Sequence, residues 1–315
     1  NIPEFAAGSH TYNSVFGLTK NPWNTLLSAG GSSGGAAAAL ATGMSWFASG
    51  SDLGGSLRNP ASWCGVVGLR PTSGLIPHGP SNFPFFNLSV DGPMARNVED
   101  LSIFLDAMVG HNKNDPLSSK SVKNSYYRNL LKREEAKYLI GFTDDFGIFP
   151  CDKEVRSMMH NTLKLVQNLG HEISNTYPDM SKSEYCFQTL RAYMFYCTYK
   201  SLLKKDKSLI KEEVIWNINR AKAITIDDLR EAEKARADIY NDTMKFFDKF
   251  DLLIVPSSIV PPFNSQNKWV KKVEDTTFDN YVSWLMIAAS ISLTNCPSIA
   301  IATSFSKDNA PFGIQ

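Results

Sequence analysis

The chain has 315 residues, of which 43% are hydrophobic, so it can bury a substantial core in one large domain or two smaller ones. Its 32 basic and 31 acidic residues leave a formal net charge of +1, which indicates neither a nucleic-acid-binding nor a membrane-binding surface. No apolar run of about 18 residues is present that could span a bilayer.

The cysteine pattern limits the redox compartment and the metal chemistry. Five cysteines are present, an odd number, and none forms a C-x-x-C pair. This pattern favours free thiols in a reducing compartment over a disulfide framework or a zinc site. We therefore expect a cytoplasmic protein with no metal.

The first third of the chain predicts loops alternating with short helices and strands. Residues 1–17 mix small and polar types and predict a loop or short helix that leads inward. The segments that follow are a helix at 36–41, a short buried strand at 44–48, a helix that begins within 57–64, a buried strand at 66–69 and a helix at 97–109 that starts near Asn97.

The rest of the chain begins with a polar, linker-like stretch at 110–125. The predicted elements beyond it are a strand at 138–142, a helix at 152–169 ended by Gly170, mainly helix from 180 to 250, a strand at 251–256, a helix at 278–293 and a strand at 298–303. Strands separated by helical segments with long crossovers predict an α/β layered fold with a mixed sheet.

Two glycine-rich loops, at 30–35 and 52–56, are the clearest candidates for a functional site. Glycine at so many loop positions indicates backbone that turns tightly and comes close to another group. Both loops carry serines. A serine nucleophile needs a group that takes its proton and donors that hold the oxyanion, and these loops supply hydroxyls and N–H groups but no base.

Glycine-rich loops also have other uses in proteins. A P-loop ends in Gly-Lys-Ser/Thr, but no lysine lies between Lys20 and Arg58, and the dinucleotide pattern G-x-G-x-x-G is missing as well. We therefore predict no cofactor. A flexible linker is disfavoured by the Ala-rich run and the apolar residues after it. Composition alone leaves a catalytic loop and a non-catalytic turn both open.

Four stretches in this order make the sequence resemble one family. They are Asn21-Pro22-Trp23-Asn24, GGSSGG at 30–35, GSDLGGSLRNPASWCGVVGLRPT at 50–72 and DGPMARNVEDL at 91–101. Ser32 and Ser56 are 24 residues apart, as the family pattern requires. The chain thus resembles the amidase signature family of Ser–cis-Ser–Lys hydrolases, and it does so more weakly at 1–17, 250–258 and 295–302.

The resemblance implies an α/β fold with a large central mixed β-sheet flanked by α-helices on both faces. It also implies that residues 1–315 form a single amidase domain. In that domain, residues 1–110 would be the signature core, 126–250 a mostly helical insertion and 251–315 a return to the core sheet.

The resemblance also implies the roles of the serines. Ser56 would be the nucleophile, and Ser32, after a cis peptide bond from Gly31, would relay its proton to a neutral lysine. Ser33 would support this network by hydrogen bonding. The oxyanion hole would be formed by the backbone N–H groups of Leu53, Gly54, Gly55 and Ser56.

The family's lysine lies several dozen residues before the GGSSGG loop, whereas 31 residues precede Ser32 in this sequence. We therefore expect an internal portion of a longer chain, without the N-terminal part that carries the lysine and without the C-terminal end. His10 is a tempting alternative base for Ser56, but a loop histidine more often has a non-catalytic role. Asp52 and Arg58, which flank the nucleophile, are expected to pair and hold the loop.

The function implied is hydrolysis of a small-molecule linear or cyclic amide to an acid and an amine or ammonia, through an acyl-enzyme on Ser56. Two alternatives remain: the glutaminase (A-type) subunit of a glutamine-dependent tRNA amidotransferase, and an inactive amidase-like binding protein. Aromatic residues at 83–86 and 185–199 favour a free-standing amidase for an apolar or aromatic amide. No direct nucleic-acid or membrane partner is expected, and the protein is a candidate homodimer.

Overall fold

The computed structural model describes residues 2–119, 125–132 and 135–315, so the predicted linker at 110–125 lies partly outside the described residues. The α-helices of the described part are α1 Gly34–Ala41, α2 Arg58–Cys64, α3 Val98–Met108, α4 Tyr126–Leu131, α5 Lys153–Asn168, α6 Ser183–Tyr199, α7 Glu212–Arg220, α8 Ile226–Phe247 and α9 Met286–Leu293. Its strands are β1 Tyr12–Asn13, β2 Gly17–Leu18, β3 Ala48–Asp52, β4 Val67–Arg70, β5 Val90–Ala95, β6 Leu139–Phe142, β7 Glu172–Ser174, β8 Leu252–Ile254, β9 Lys272–Val273, β10 Thr276–Thr277, β11 Ser298–Phe305 and β12 Pro311–Ile314.

The central sheet consists of an antiparallel half and a parallel half. The antiparallel half has the order β12-β11-β4-β5-β3, and the parallel half the order β7-β6-β8. The chain that continues from β8 joins them, because Val255 and Gln315 exchange two backbone hydrogen bonds of 3.1 and 2.9 Å and the Ser257 N–H donates to the Gly313 carbonyl. The predicted mixed sheet is therefore confirmed.

Helices cover both faces of this sheet. Two neighbouring residues of strand β4 contact helices on opposite faces. A Cβ placed on Gly68 would lie 2.7 Å from the Leu57 carbonyl oxygen and 2.9 Å from Ala61 Cβ of α2. The neighbouring Val67 packs in a cluster with Leu101 of α3. Because successive side chains of a strand point to opposite faces, α2 and α3 lie on opposite sides of the sheet.

Nearby residues determine where the predicted helices begin and end. The Asn97 side chain accepts a hydrogen bond of 2.7 Å from the Asp100 N–H, so α3 begins where the sequence places it. Gly170 has φ 91° just after α5, which confirms the predicted stop. Every helix within the described ranges is too short or too polar to cross a lipid bilayer.

Two predicted elements were wrong or misplaced. Residues 44–48 are not a buried strand: Met44 and Trp46 are 82% and 77% exposed, and the strand runs instead from Ala48 to Asp52. Backbone pairing with β5 decides this, and the apolar content of the segment does not. The helix predicted at 278–293 starts later, at Met286. A 3₁₀ helix at Ser283–Leu285 precedes it, and Asn280 Oδ1 accepts from the N–H groups of Val282 and Ser283 where that 3₁₀ helix begins.

Candidate active site

The two glycine-rich loops lie side by side. The Ser33 N–H donates a hydrogen bond of 3.1 Å to the Ser56 carbonyl oxygen. Ser32 and Ser33 are each 1% exposed, whereas Ser56 is partly exposed. The Gly31–Ser32 peptide is cis, as the family resemblance implies. The fold therefore brings the three predicted site serines into one small region.

Thr11 organises the first loop. Its Oγ1 lies 2.9 Å from the Gly30 carbonyl oxygen and 3.3 Å from that of Ser32, and it accepts from the Gly34 N–H at 3.2 Å. A Cβ on Gly31 would lie 2.7 Å from the backbone nitrogen of His10, so only glycine fits there. The sequence assigned no chemistry to Thr11, and no local signal marks it, because its partners lie about 20 residues further along the chain.

His10 supports the same loop and is not available as a base for Ser56. Its Nε2 donates to the Ser265 carbonyl at 2.8 Å, and its Nδ1 accepts from Ser28 Oγ at 2.7 Å. Ser28 Oγ in turn accepts from the Gly30 N–H. Burial lowers the pKa of His10, which keeps the ring neutral. Both ring nitrogens are thus hydrogen-bonded, in keeping with the non-catalytic role expected of a loop histidine.

The predicted Asp52–Arg58 pair holds the second loop. Both side chains are fully buried, and Arg58 Nε and Nη2 donate to the two Asp52 oxygens at 3.0 and 2.9 Å. The same carboxylate accepts from the N–H groups of Gly55 (2.8 Å) and Leu57 (3.1 Å). Burial alone raises the pKa of Asp52, but the Arg58 charge and hydrogen bonds, with Arg70, lower it to about 2. The carboxylate is therefore ionised.

Arg70 adds a second buried cation to this cluster. Its Nη1 lies 3.6 Å from Asp52 Oδ1 and donates to the Asp52 carbonyl oxygen, and its Nη2 donates to the Leu88 carbonyl at 3.1 Å. Burial lowers the pKa of Arg70 to about 10, although the Asp52 charge opposes this. One carboxylate thus bridges two guanidinium groups and the loop backbone.

The donors predicted for the oxyanion hole are not equivalent. The Gly55 N–H is already bonded to Asp52. Across residues 2–119, 125–132 and 135–315, the N–H groups of Leu53, Gly54 and Ser56 have no hydrogen-bond partner. Three of the four predicted donors are thus free to bind a developing oxyanion.

Helices α6 and α9 explain why this loop contains adjacent glycines. A Cβ on Gly54 would lie 2.8 Å from Cζ of Phe187 in α6. A Cβ on Gly55, which has φ 112°, would lie 2.8 Å from Ala288 Cβ in α9. Residues far apart in sequence thus press on the loop from both sides and leave no space for a side chain.

The hydroxyls of Ser32 and Ser56 make no hydrogen bond to the described part of the chain, whereas Ser33 Oγ donates to the Ser51 carbonyl at 3.4 Å. No histidine or lysine of that part bonds to either free hydroxyl. The described residues also contain no cluster of three or more His, Cys, Asp or Glu side chains that could hold a metal ion. The arrangement offers hydroxyls and oxyanion donors.

The aromatic segments at 83–86 and 185–199 contact each other. The rings of Phe83 and Phe86 stack at 5.4 Å, and Phe86 meets Tyr193 of α6 edge-on at 5.8 Å. On the same helix, Phe187 is buried against the Gly54 loop, whereas Tyr185 is exposed and bonds to Asp228 of α8. The aromatic residues of α6 therefore pack against the second glycine-rich loop and also contact the neighbouring helix α8.

Known proteins are similar to this chain over its whole length. The Amidase family model matches residues 1–315. An acylamidase of Rhodococcus erythropolis is 31% identical over all of this chain and 66% of its own length. The A-type subunit of the glutamyl-tRNA(Gln) amidotransferase of Thermodesulfovibrio yellowstonii is 33% identical over all of this chain and 69% of its own length. The chain thus spans about two thirds of the length of these relatives.

Solved structures show the same fold. A bacterial aryl acylamidase of the amidase signature family superimposes with a TM-score of 0.89 at 24% identity, over the whole of this chain and 67% of its own. The family match, the two serine loops and the shared fold lead to one conclusion. The chain belongs to the Amidase family, the amidase signature enzymes.

Proposed function

We propose that this chain carries the acyl-transfer site of an amidase that converts a carboxylic amide to an acid and an amine or ammonia. The observation that carries the proposal is the contact between the two serine loops. The Ser33 N–H donates to the Ser56 carbonyl oxygen at 3.1 Å, and this bond supports pairing Ser32 with Ser56 and with the free N–H groups of the second loop. Membership of the Amidase family supports the same chemistry.

In this mechanism, Ser56 Oγ attacks the amide carbonyl while its proton passes to Ser32 and from there to a neutral lysine, which the family resemblance sets ahead of residue 1. The oxyanion accepts hydrogen bonds from the free N–H groups of Leu53, Gly54 and Ser56. When the C–N bond breaks, the proton returns through Ser32 to the leaving amine. Water then attacks the Ser56 ester and releases the acid.

A second candidate is the glutaminase subunit of a tRNA amidotransferase, supported by the 33% identity to the A-type subunit of such an enzyme. Its reaction would be the same at Ser56, with glutamine as the amide and ammonia as the leaving group. The inactive-protein alternative has less support, because the three serines are present and the backbone around them is held by Thr11 and Asp52.

Labelling of the full-length protein with a fluorophosphonate, followed by peptide mapping, tests the proposal. We expect one adduct, on Ser56, that is absent in Ser56→Ala and forms much more slowly in Ser32→Ala. A folded protein that gives no adduct would contradict hydrolysis and favour the binding protein. Ammonia release from glutamine, compared with a panel of simple amides, then separates the two enzymatic candidates.

A further inference from the structure

Helix α6 carries a buried cation one turn beyond Phe187, whose ring packs against Gly54 of the second loop. Arg191 is 7% exposed. Its Nε donates to Asn217 Oδ1 at 3.1 Å and its Nη2 to the Tyr281 hydroxyl at 2.6 Å, both neutral groups. Its Nη1 makes no hydrogen bond to the described residues and is not sealed from solvent. The Nη1 group of Arg191 thus has no hydrogen-bond acceptor among the described residues.

The charge of Arg191 also lacks a partner. In the described part of the chain, no carboxylate lies within 4.0 Å of its guanidinium, whereas the fully buried Arg58 is paired with Asp52. The face of the Phe195 ring, 4.5 Å from Arg191 Cζ, offsets part of the cost of burial. A buried cation that is compensated only by neutral groups is suited to bind an anion.

Tyr281 points to the same kind of ligand. Its hydroxyl oxygen accepts from Arg191 Nη2 and from Asn217 Nδ2, each at 2.6 Å. The hydroxyl proton has no acceptor in the described residues, although Tyr281 is only 5% exposed. Arg191 and Tyr281, which are hydrogen-bonded to each other, thus each keep a donor that no group of the described residues accepts. A carboxylate would satisfy both.

Packing contacts connect the element that carries Arg191 to the second loop. Phe187, four residues before Arg191, touches Gly54, and Leu53 packs in the same cluster as Phe195. One helical turn is about 5.4 Å long, so Arg191 lies roughly that far along α6 from Phe187. Apolar side chains thus pack between the Gly54 loop and the cation.

We propose that Arg191 and Tyr281 bind a carboxylate on the acyl part of the substrate. This inference rests on the proposed function and narrows it. The favoured amides are those whose acyl chain has a short apolar stem that ends in a carboxylate, such as the monoamides of dicarboxylic acids. It adds a carboxylate to the apolar or aromatic amide that the sequence led us to expect.

The test compares kcat/KM of the full-length protein for succinamate and glutaramate with that for neutral monoamides of equal chain length. We expect the wild type to prefer the acid amides. Arg191→Gln should lower kcat/KM for these by about tenfold or more, mainly through KM, and change the neutral amides by about twofold or less. Tyr281→Phe should give a smaller loss with the same selectivity.

The matched control is Arg220→Gln. Arg220 lies on the neighbouring helix α7, with its guanidinium 5.3 Å from the Trp216 ring, and its removal should affect both amide classes equally. An equal loss for both classes in Arg191→Gln would show a purely structural role. A wild type that prefers neutral amides would overturn the proposal.

Binding of glutaramate to Ser56→Ala, measured by calorimetry, tests the site without turnover. We expect binding that the added change Arg191→Gln abolishes; no binding, or binding unaffected by that change, would refute the proposal. Because fluorophosphonate labelling of Ser56 does not need Arg191, its failure would refute the hydrolase instead. Preference for glutamine over glutaramate would support both the carboxylate site and the glutaminase candidate.

Discussion

The Ser33 N–H donates to the Ser56 carbonyl oxygen over 3.1 Å, and this backbone bond joins two loops whose serines are 23 and 24 residues apart. It involves no side chain, so substitutions of the serines leave it in place. The distance between the Ser32 and Ser56 hydroxyls therefore depends on what fixes each backbone. Thr11 fixes the first loop and Asp52 the second.

Removing the Thr11 hydroxyl should loosen the first loop. Thr11→Val keeps the shape of the side chain but leaves the buried carbonyl of Gly30 and the N–H of Gly34 unpaired, which costs about 1–3 kcal/mol each at most. We expect a lower free energy of unfolding in urea and slower fluorophosphonate labelling of Ser56. Thr11→Ser retains the hydroxyl and should stay close to the wild type. Equal effects of the two changes would show that the methyl group matters and the hydroxyl does not.

Adding a methyl group at Gly54 should displace the second glycine-rich loop. In Gly54→Ala the new Cβ meets the Phe187 ring at 2.8 Å, an overpacked contact that costs about 1–3 kcal/mol. We expect a large fall in the rate of Ser56 labelling and only a small fall in the free energy of unfolding, because this loop carries the free N–H donors. The double variant Gly54→Ala/Phe187→Leu gives the methyl group space and should recover part of the labelling rate. No recovery would mean that the glycine is needed for another reason.

Acid should weaken the second loop through Asp52. The pKa of this carboxyl is about 2 in the folded protein against an ordinary value of 3.8, so its ionised form stabilises the fold. That contribution, about 2 kcal/mol, is fully present above pH 4 and is lost as the pH falls towards 2. Urea unfolding across this range should show a steeper decline for the wild type than for Asp52→Asn. Parallel curves would contradict the assignment.

The Asp52→Asn variant should also be unstable at neutral pH. It leaves Arg58 and Arg70 buried without an anion, and breaking such a pair costs about 3–5 kcal/mol. Thermal unfolding at pH 7 measures this loss. Asp91→Asn, which removes a half-buried carboxylate at the surface, is the matched control and should cost far less.

His78 should titrate above its ordinary range. Its Nδ1 bonds to Asp91 Oδ2 at 2.7 Å, and this hydrogen bond raises the pKa of the imidazole. The charged pair therefore stabilises the 77–86 loop below pH 6.5, and this contribution disappears as the pH rises through the raised pKa. An NMR titration should find the His78 pKa above 6.5 in the wild type and lower in Asp91→Asn. An unchanged value in the variant would remove Asp91 as the cause.

The sequence by itself determined much of the local structure. Side-chain capping at Asn97, the stop at Gly170 and the pairing of Asp52 with Arg58 all involve residues a few positions apart. Short-range chemistry of this kind can be read directly from residue order. The prediction of a strand at residues 44–48 was wrong. The strand position depends on backbone pairing with β5, about 40 residues away in sequence, and apolar content does not show which segment makes that pairing.

Only the tertiary structure decided how the site is built. Thr11 bonds to the first loop, Phe187 and Ala288 exclude side chains from the second, and Arg191 receives partners from α7 and from Tyr281. None of these contacts has a signal in the sequence, because each joins segments that only the folded sheet and its helices bring together. The sequence thus determined which hydroxyls and N–H groups are candidates, and the packing decided which of them are free to react.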